Sequence, residues 1–171
     1  MIVGPGRPDQ PGTTGGLITG SEPVGCEYRS TDGASVGAWT WRKHATGWVV
    51  VDGDTGWRDI TSATPAGLIN GGGYLKLRRT TTSGVWMDGR FLNGTAEVIV
   101  ITPPAGFRHS SLDGAKGVLI PTDAPGIAGK MQYRSFGGGF EWKGAGGQDG
   151  FGLFTYISDE TWPSTLPGSP D

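Results

Sequence analysis

The sequence predicts an all-β fold, and three observations support that prediction. Thirty-three glycines and twelve prolines divide the 171 residues into short segments. The longest segments that lack both residues, 74–83 and 153–162, show no apolar repeat of 3.6 residues, so helices are not expected. Seven tryptophans, six phenylalanines and four tyrosines are spread through alternating segments, whereas disordered chains are poor in large apolar residues.

Residues 1–22 are predicted to form an extended arm. This segment, MIVGPGRPDQPGTTGGLITGSE, is rich in glycine and proline and has almost no aromatic material. We therefore expect it to have no core of its own and to serve as an attachment arm.

Residues 23–63 are predicted to form a small antiparallel β-meander. Short apolar-rich runs alternate there with typical turn sequences. The runs are VGCEYRS, GAWTWRK, GWVVVDG and GWRDI, and the turns are TDG, HATG and DGDTG.

The tryptophans of this meander allow two interpretations. In a regular strand Trp39 and Trp41 point to one face, and Trp48 shares a face with Val50 and Asp52. With HATG as the turn, these residues form the core of a hairpin, stabilised by cross-strand pairs. The alternative is an exposed platform of rings that stacks on a sugar. The core interpretation is favoured.

Residues 64–171 are predicted to form an antiparallel β-sandwich. Seven short strands at regular spacing suit a sandwich or a barrel. The closing stretch PSTLPGSPD is rich in proline and is expected to be loosely held. The strands are expected in GYLKLRRT, GVWMDGRF, AEVIVIT, KGVLIPT, KMQYRS, GFEWKG and GLFTYIS.

Charge and metal-binding chemistry exclude several classes of partner. The net charge is −2 and the charges are interspersed, so neither a nucleic acid nor an anionic membrane surface is expected as a partner. Membrane insertion is not expected because no segment is long and apolar enough. Lys76 and Arg78 of the one basic cluster are predicted to share a solvated strand face. Cys26 is the only cysteine, which excludes an intrachain disulfide. The acidic loop DGDTG lacks the glutamate and helices of a calcium loop, so neither a metal nor another cofactor is expected.

Enzymatic activity is not expected from the motifs. No Gly-x-Ser-x-Gly pattern is present, and the glycine runs FGGGF and NGGGY precede no helix that would bind phosphate. Paired carboxylates from different strands, as in glycoside cleavage, remain open. The first residues lack a signal peptide, so we expect synthesis in a host cytoplasm without one.

Three stretches resemble proteins of bacteriophage tails. LKLRRTTTSGVWMDGRFLNGTAEVIVITPPAGFRHS, residues 75–110, is similar to the C-terminal domain of tail-fibre and minor tail proteins, with its Arg-ended strand and PPAGFR turn. Residues 30–61 resemble the segment that precedes this domain in minor tail proteins of phages infecting actinobacteria. ISDETWPSTLPG, residues 157–168, resembles their terminus. Together the likeness covers roughly residues 22–168.

The resemblance implies a virion structural protein, a homotrimeric minor tail or tail-tip fibre protein. The arm would be fixed to other tail proteins, and the tail-fibre head-like β domain would be displayed for receptor binding and host attachment, with a host-surface glycan as ligand. The chain is short and has no shaft repeats, which favours a compact tail-tip location. A purely structural capsid or tail decoration protein is the alternative, and a cell-wall polysaccharide depolymerase is the third.

If the protein has a receptor-binding face, the stretch 133–151 is the preferred place for it, because aromatic and basic residues there are combined with glycine tracts. Core packing competes with this interpretation, since several of the aromatic side chains recur at period two. The candidate receptor-contact residues are Tyr133, Arg134, Phe136, Trp142 and Lys143.

Overall fold

The computed structural model describes residues 1–63, 73–82, 84–91, 99–108, 117–121, 128–133, 140–143 and 150–171. It confirms a mostly β fold, since the described residues contain thirteen strands, three short 3-10 turns and no α-helix. The strands are β1 (Ile2–Gly4), β2 (Glu27–Ser30), β3 (Ala38–His44), β4 (Gly47–Gly53), β5 (Arg58–Asp59), β6 (Tyr74–Thr80), β7 (Gly84–Phe91), β8 (Ile99–Ile101), β9 (Gly117–Pro121), β10 (Ala128–Tyr133), β11 (Phe140–Lys143), β12 (Gly150–Tyr156) and β13 (Ser169–Pro170). None of the helical turns in these ranges is long or apolar enough to cross a bilayer.

The first sheet has the order β1-β2-β3-β4. Within the predicted meander, β2, β3 and β4 pair antiparallel as expected. The sheet is mixed because β1, from the segment predicted to be an arm, adds to β2 in parallel. The hairpin between β3 and β4 is confirmed, with His44 opposite Gly47 across the predicted HATG turn.

The N-terminal segment is folded against the first sheet, so the prediction of an extended arm without core contacts is wrong. Ile18 is 3 % exposed and belongs to the core cluster that includes Tyr28 and Trp41. The Tyr28 hydroxyl donates a hydrogen bond to the Pro5 carbonyl at 2.5 Å. The burial of Ile18, this hydrogen bond and the pairing of β1 with β2 hold in place a segment whose composition suggests an arm.

The two tryptophans of β3 do not share a face, so the prediction that Trp39 and Trp41 point to one face of a regular strand is wrong. Trp41 is 2 % exposed, whereas Trp39 is 43 % exposed. The β3–β4 register pairs Ala38 with Gly53, Thr40 with Asp52 and Trp41 with Val50, and so passes over Trp39 and Val51. These irregularities are β-bulges, and bulges re-aim side chains.

The stretch GWRDI does not join the predicted meander. Its strand β5 pairs with β6 on one side and with β13 on the other. β5 therefore belongs to a five-stranded sheet of order β12-β7-β6-β5-β13.

All seven strands expected between residues 64 and 171 are present as β6 to β12. They divide between the five-stranded sheet and a four-stranded antiparallel sheet of order β8-β11-β10-β9. Phe140 of β11 and Tyr156 of β12 bring the two sheets together, with ring centroids 4.8 Å apart. Leu75, Leu77 and Val85 are fully buried in the five-stranded sheet.

The C-terminal segment is firmly held, so the expectation of a loose end is wrong. Ser169 and Pro170 pair with β5, and Arg58 donates hydrogen bonds to the carbonyls of Pro167 and Gly168 at 2.9 Å each. The proline-rich ending supplies backbone carbonyls as acceptors, and acceptors do not depend on the amide hydrogen that proline lacks.

Candidate functional site

The predicted receptor-contact residues lie in or after the hairpin of β10 and β11. Tyr133 ends β10 opposite Phe140, and Trp142 lies in β11 opposite Met131. Lys143 pairs with Lys130, while Arg134 and Phe136 fall outside the described residues. Phe140, which lies between Phe136 and Trp142 in the sequence, is 1 % exposed, as the core interpretation expects.

A cleft of about 1010 Å³ lies between the first sheet and the C-terminal segment. One wall consists of edge strand β4 with the tryptophan of β3 beside it, and the other consists of residues 157–164. Residues 80–82 at the end of β6 and Gly84 at the start of β7 also line the cleft. The lining includes Arg7, Asp9, Gln10, Trp41, Trp48, Val49, Arg79, Thr80, Thr81, Thr82, Ile157, Ser158, Asp159, Glu160, Thr161 and Ser164.

Arg7 joins the N-terminal segment to the C-terminal wall. Its guanidinium donates to both carboxylate oxygens of Asp9, at 3.0 and 2.7 Å, and to the Ser164 carbonyl at 3.1 Å. It also lies over the Trp41 ring, 5.4 Å from the centroid. Since the side chain is 8 % exposed, this cation is already neutralised inside the protein.

Arg79, from β6, holds the same C-terminal wall. Its guanidinium donates to the carbonyls of Gly106, Glu160 and Thr161, the last two at 2.6 and 2.8 Å. It stacks over Trp162 at 5.2 Å from the ring centroid. Burial lowers the pKa of Arg79, and the nearby Glu160 carboxylate opposes that effect. Arg79 thus holds the backbone at Gly106, Glu160 and Thr161 in place. Like Arg7, it donates its hydrogen bonds to protein acceptors.

The PPAGF turn is fixed by the same group of residues. Glu160 accepts hydrogen bonds from the backbone N–H groups of Gly106, at 2.5 Å, and Arg108, at 3.1 Å. The Tyr156 hydroxyl donates to the Phe107 carbonyl at 2.6 Å. A Cβ added to Gly106, whose φ is +85°, would lie 2.8 Å from Pro163, so this approach requires glycine.

Trp162 fastens the C-terminal wall to the first sheet. Its indole Nε1–H donates to the Val36 carbonyl at 2.9 Å. A Cβ added to Gly53, the last residue of β4, would lie 2.8 Å from the Trp162 ring. The cleft is therefore bounded by walls that contact each other through a tryptophan.

Trp41 and Trp48 differ from Trp162 in their hydrogen bonding. Both indole Nε1 atoms are buried, and neither has an acceptor among the described residues. The Trp48 ring meets Tyr28 edge-on at 6.4 Å between centroids, and Lys43 Nζ lies 5.7 Å from its centroid. Trp48 is half-buried on edge strand β4.

A smaller cavity of about 350 Å³ lies beside the cleft, between the end of β4 and β6. It contains the ion pair between Arg78 and Asp54, and the hydrogen bonds from that arginine lower the pKa of Asp54. Within the described ranges, no three His, Cys, Asp or Glu side chains lie close enough to hold a metal ion.

Sequence reasoning missed Arg7, Arg79 and Trp162 as structural elements of the cleft. One signal was present for Arg79, because it occupies the same alternating positions as Leu75 and Leu77 in β6. The backbone carbonyls that accept from Arg7 are 156 and 157 residues away, and the carbonyl that accepts from Trp162 is 126 residues away, so no local pattern indicates these contacts.

No family model matches the chain, and the comparisons with curated proteins and with solved structures gave no match.

Proposed function

We propose that the protein is a bacteriophage virion structural protein, a homotrimeric minor tail or tail-tip fibre protein that attaches to a host-surface glycan. The observation that carries the proposal is the meeting of three stretches of sequence that separately resemble tail proteins. Arg79 from residues 75–110 contacts Glu160 and Trp162 from residues 157–168, and Trp162 contacts Val36 from residues 30–61.

The arrangement of the two C-terminal sheets belongs to the same proposal. We infer that the five-stranded sheet and the sheet β8-β11-β10-β9 form a tail-fibre head-like sandwich. The ring contact between Phe140 and Tyr156 supports this arrangement, because one ring comes from each sheet. Short strands gain stability when copies share an interface, which supports an oligomer. The resemblance to tail proteins implies that this oligomer is a trimer.

Attachment to other tail proteins is assigned to the folded N-terminal segment. β1 is an edge strand, and its Val3 side chain is 51 % exposed. Leu17, 46 % exposed, lies next to β1, because a Cβ on Gly4 would clash with it. An exposed apolar strand edge is a template for pairing with another chain. The protein would be made in the host cytoplasm and incorporated at the tail.

A charged substitution on β1 tests the attachment. We expect Val3→Lys to leave the thermal unfolding midpoint nearly unchanged, since Val3 is exposed, and to reduce incorporation into particles at least about tenfold. The measurement is an immunoblot of particles purified after complementation of a phage that lacks the protein. Val3→Thr is the matched control, because it keeps a β-branched side chain and adds no charge.

Incorporation of Val3→Lys at the level of the unmutated protein would contradict attachment through β1. Finding the unmutated protein in infected cells but absent from particles would contradict the virion assignment itself.

A purely structural decoration protein is the second candidate, and one observation favours it. The two buried cations in the cleft, Arg7 and Arg79, donate their hydrogen bonds to protein groups. Sedimentation of the purified protein with actinobacterial cell walls separates the candidates: the adhesive protein sediments and the decoration protein does not. Release of reducing sugar from those walls would instead support the third candidate, a depolymerase.

A further inference from the structure

We propose that the cleft between the first sheet and residues 157–164 is a binding site for neutral carbohydrate, with Trp48 as the residue that recognises it. The inference deepens the proposed adhesive function and rests on it. It also moves the expected ligand from the stretch 133–151 to the walls formed by β4 and the C-terminal segment.

The size and position of the cleft suit a small ligand. Its volume of about 1010 Å³ is at the upper end of the range of about 300–1,000 Å³ that is usual for ligand pockets. It lies where separate parts of the chain meet, and such junctions are preferred places for binding sites. Its walls are fixed by Arg7, Arg79 and Trp162, so the site is largely formed before a ligand arrives.

Two tryptophans of the cleft have an unused hydrogen-bond donor. Trp41 is 2 % exposed, and both it and Trp48 lack an acceptor for the indole N–H among the described residues. Trp162 shows that this chain can satisfy a buried indole, because its N–H reaches a carbonyl. A buried unpaired donor is destabilising, so a ligand that brings an acceptor oxygen to it is favoured.

Trp48 is the better placed of the two to meet a ligand. Its indole nitrogen is buried, so the inference includes a rotation of the side chain that presents the N–H to the ligand. Trp48 is half-buried on an edge strand, whereas Trp41 is enclosed and covered by Arg7. A presented indole offers an apolar face and a donor together, which is the combination that a sugar ring with hydroxyl groups requires.

The charges of the cleft favour a neutral ligand. Its two guanidinium groups are occupied by protein carbonyls and by Asp9. Asp9, Asp159 and Glu160 line the same space, which gives one more negative than positive charge. An anionic sugar therefore finds no uncommitted cation among the lining residues. Uncharged hydroxyl and amide side chains supply further donors and acceptors: Gln10, Thr80, Thr81, Thr82, Ser158, Thr161 and Ser164.

The test follows the indole N–H signals of protein labelled with nitrogen-15 at tryptophan. The probe is the pool of neutral oligosaccharides released by mild acid from actinobacterial cell walls. We expect the Trp48 signal to shift and saturate, and Trp48→Phe to weaken binding about 3- to 10-fold by removing one hydrogen bond while keeping a ring. Trp39→Phe is the matched control: Trp39 is exposed and lies outside the cleft, so affinity should not change.

A second variant keeps the test decisive if Trp48→Phe does not fold. Val49 lines the cleft and is 38 % exposed, so Val49→Arg adds bulk to the site with little cost to the core. We expect this variant to lose the shift of the Trp48 signal.

Four results would overturn the inference: no shift with the neutral pool, an equal loss of affinity for Trp39→Phe, equally tight binding of oligogalacturonate, or a shift only with an alternating valine–threonine hexapeptide. The last would assign the edge of β4 to strand addition. These failures are distinct from failure of the adhesive function. If the unmutated protein sediments with cell walls but its Trp48 signal does not shift with the sugars, the adhesive function stands and this binding site is ruled out.

Discussion

Strands β3 and β6 are both seven residues long, yet they bury their side chains in different patterns. In β6 burial alternates without a break, and Leu75, Leu77 and Arg79 face the core. In β3 the buried residues are Ala38 and Trp41, three positions apart. Buried side chains therefore recur at every second residue of a strand only where the register with its partner is regular.

The cause of the difference lies in the neighbouring strands. β6 pairs with β7 in unbroken register from Tyr74 to Thr80. β3 pairs with β4 across two irregularities, which pass over one residue on each strand and so restore the register. The re-aimed Trp39 ring rests on Gly33, where an added Cβ would lie 3.0 Å from it. An aromatic side chain is thereby moved from the core face to the surface.

The largest expected effect comes from the two tryptophans of β3. Trp41→Ala should lower the free energy of unfolding by about 3–5 kcal/mol, because it empties a fully enclosed site. Trp39→Ala should lower it by less than about 1 kcal/mol, since that ring is exposed. Urea denaturation measures both. Equal losses would mean that the strand is regular and that both rings lie in the core.

A smaller effect is expected from the adjacent arginines of β6. Arg79→Lys should cost about 2–3 kcal/mol in urea denaturation, because an ammonium cannot reproduce the planar set of bonds to three carbonyls. Arg78→Lys is the control and should cost less than about 0.5 kcal/mol, since its pair with Asp54 is more than one third exposed. A larger cost at Arg78 would contradict the alternation described for β6.

The smallest effect concerns the glycine beneath Trp39. Gly33 and Gly15 have nearly the same φ, +63° and +64°, but nothing lies within 4 Å of a Cβ on Gly15. Gly15→Ala should therefore cost about 1 kcal/mol for the backbone alone, and Gly33→Ala about 2 kcal/mol because the indole must also move. The two thermal unfolding curves measure the difference. Identical shifts would show that Trp39 does not rest on Gly33.

The sequence predicted most strands, because glycine and proline mark their ends and apolar residues mark their interiors. β6 to β12 and the turn between His44 and Gly47 were expected and are present. The outward position of Trp39 was not expected, because a bulge depends on the partner strand and cannot be seen in the local sequence pattern. Contacts such as Ile18 with the first sheet and Ser169 with β5 also depend on residues distant in the chain.

The candidate site was less predictable than the fold. The cleft exists because Arg7, Arg79 and Trp162 join segments that are far apart in sequence. The glycine and proline content suggests an extended arm at the N-terminal end and a loosely held C-terminal end, because composition does not show which backbone carbonyls accept hydrogen bonds. The proposed role of Trp48 depends on the lack of an acceptor for its N–H among the described residues, which only the assembled structure reveals.

Electron cryo-microscopy of intact phage particles tests the central proposal, a virion protein attached to the tail, most directly. We expect copies of this fold at the tail in a trimer, with the edge of β1 against a neighbouring tail protein and the cleft beside β4 open to solvent. Density for the chain on the capsid, or a tail location in which β1 is exposed and the cleft is covered by another virion protein, would contradict it.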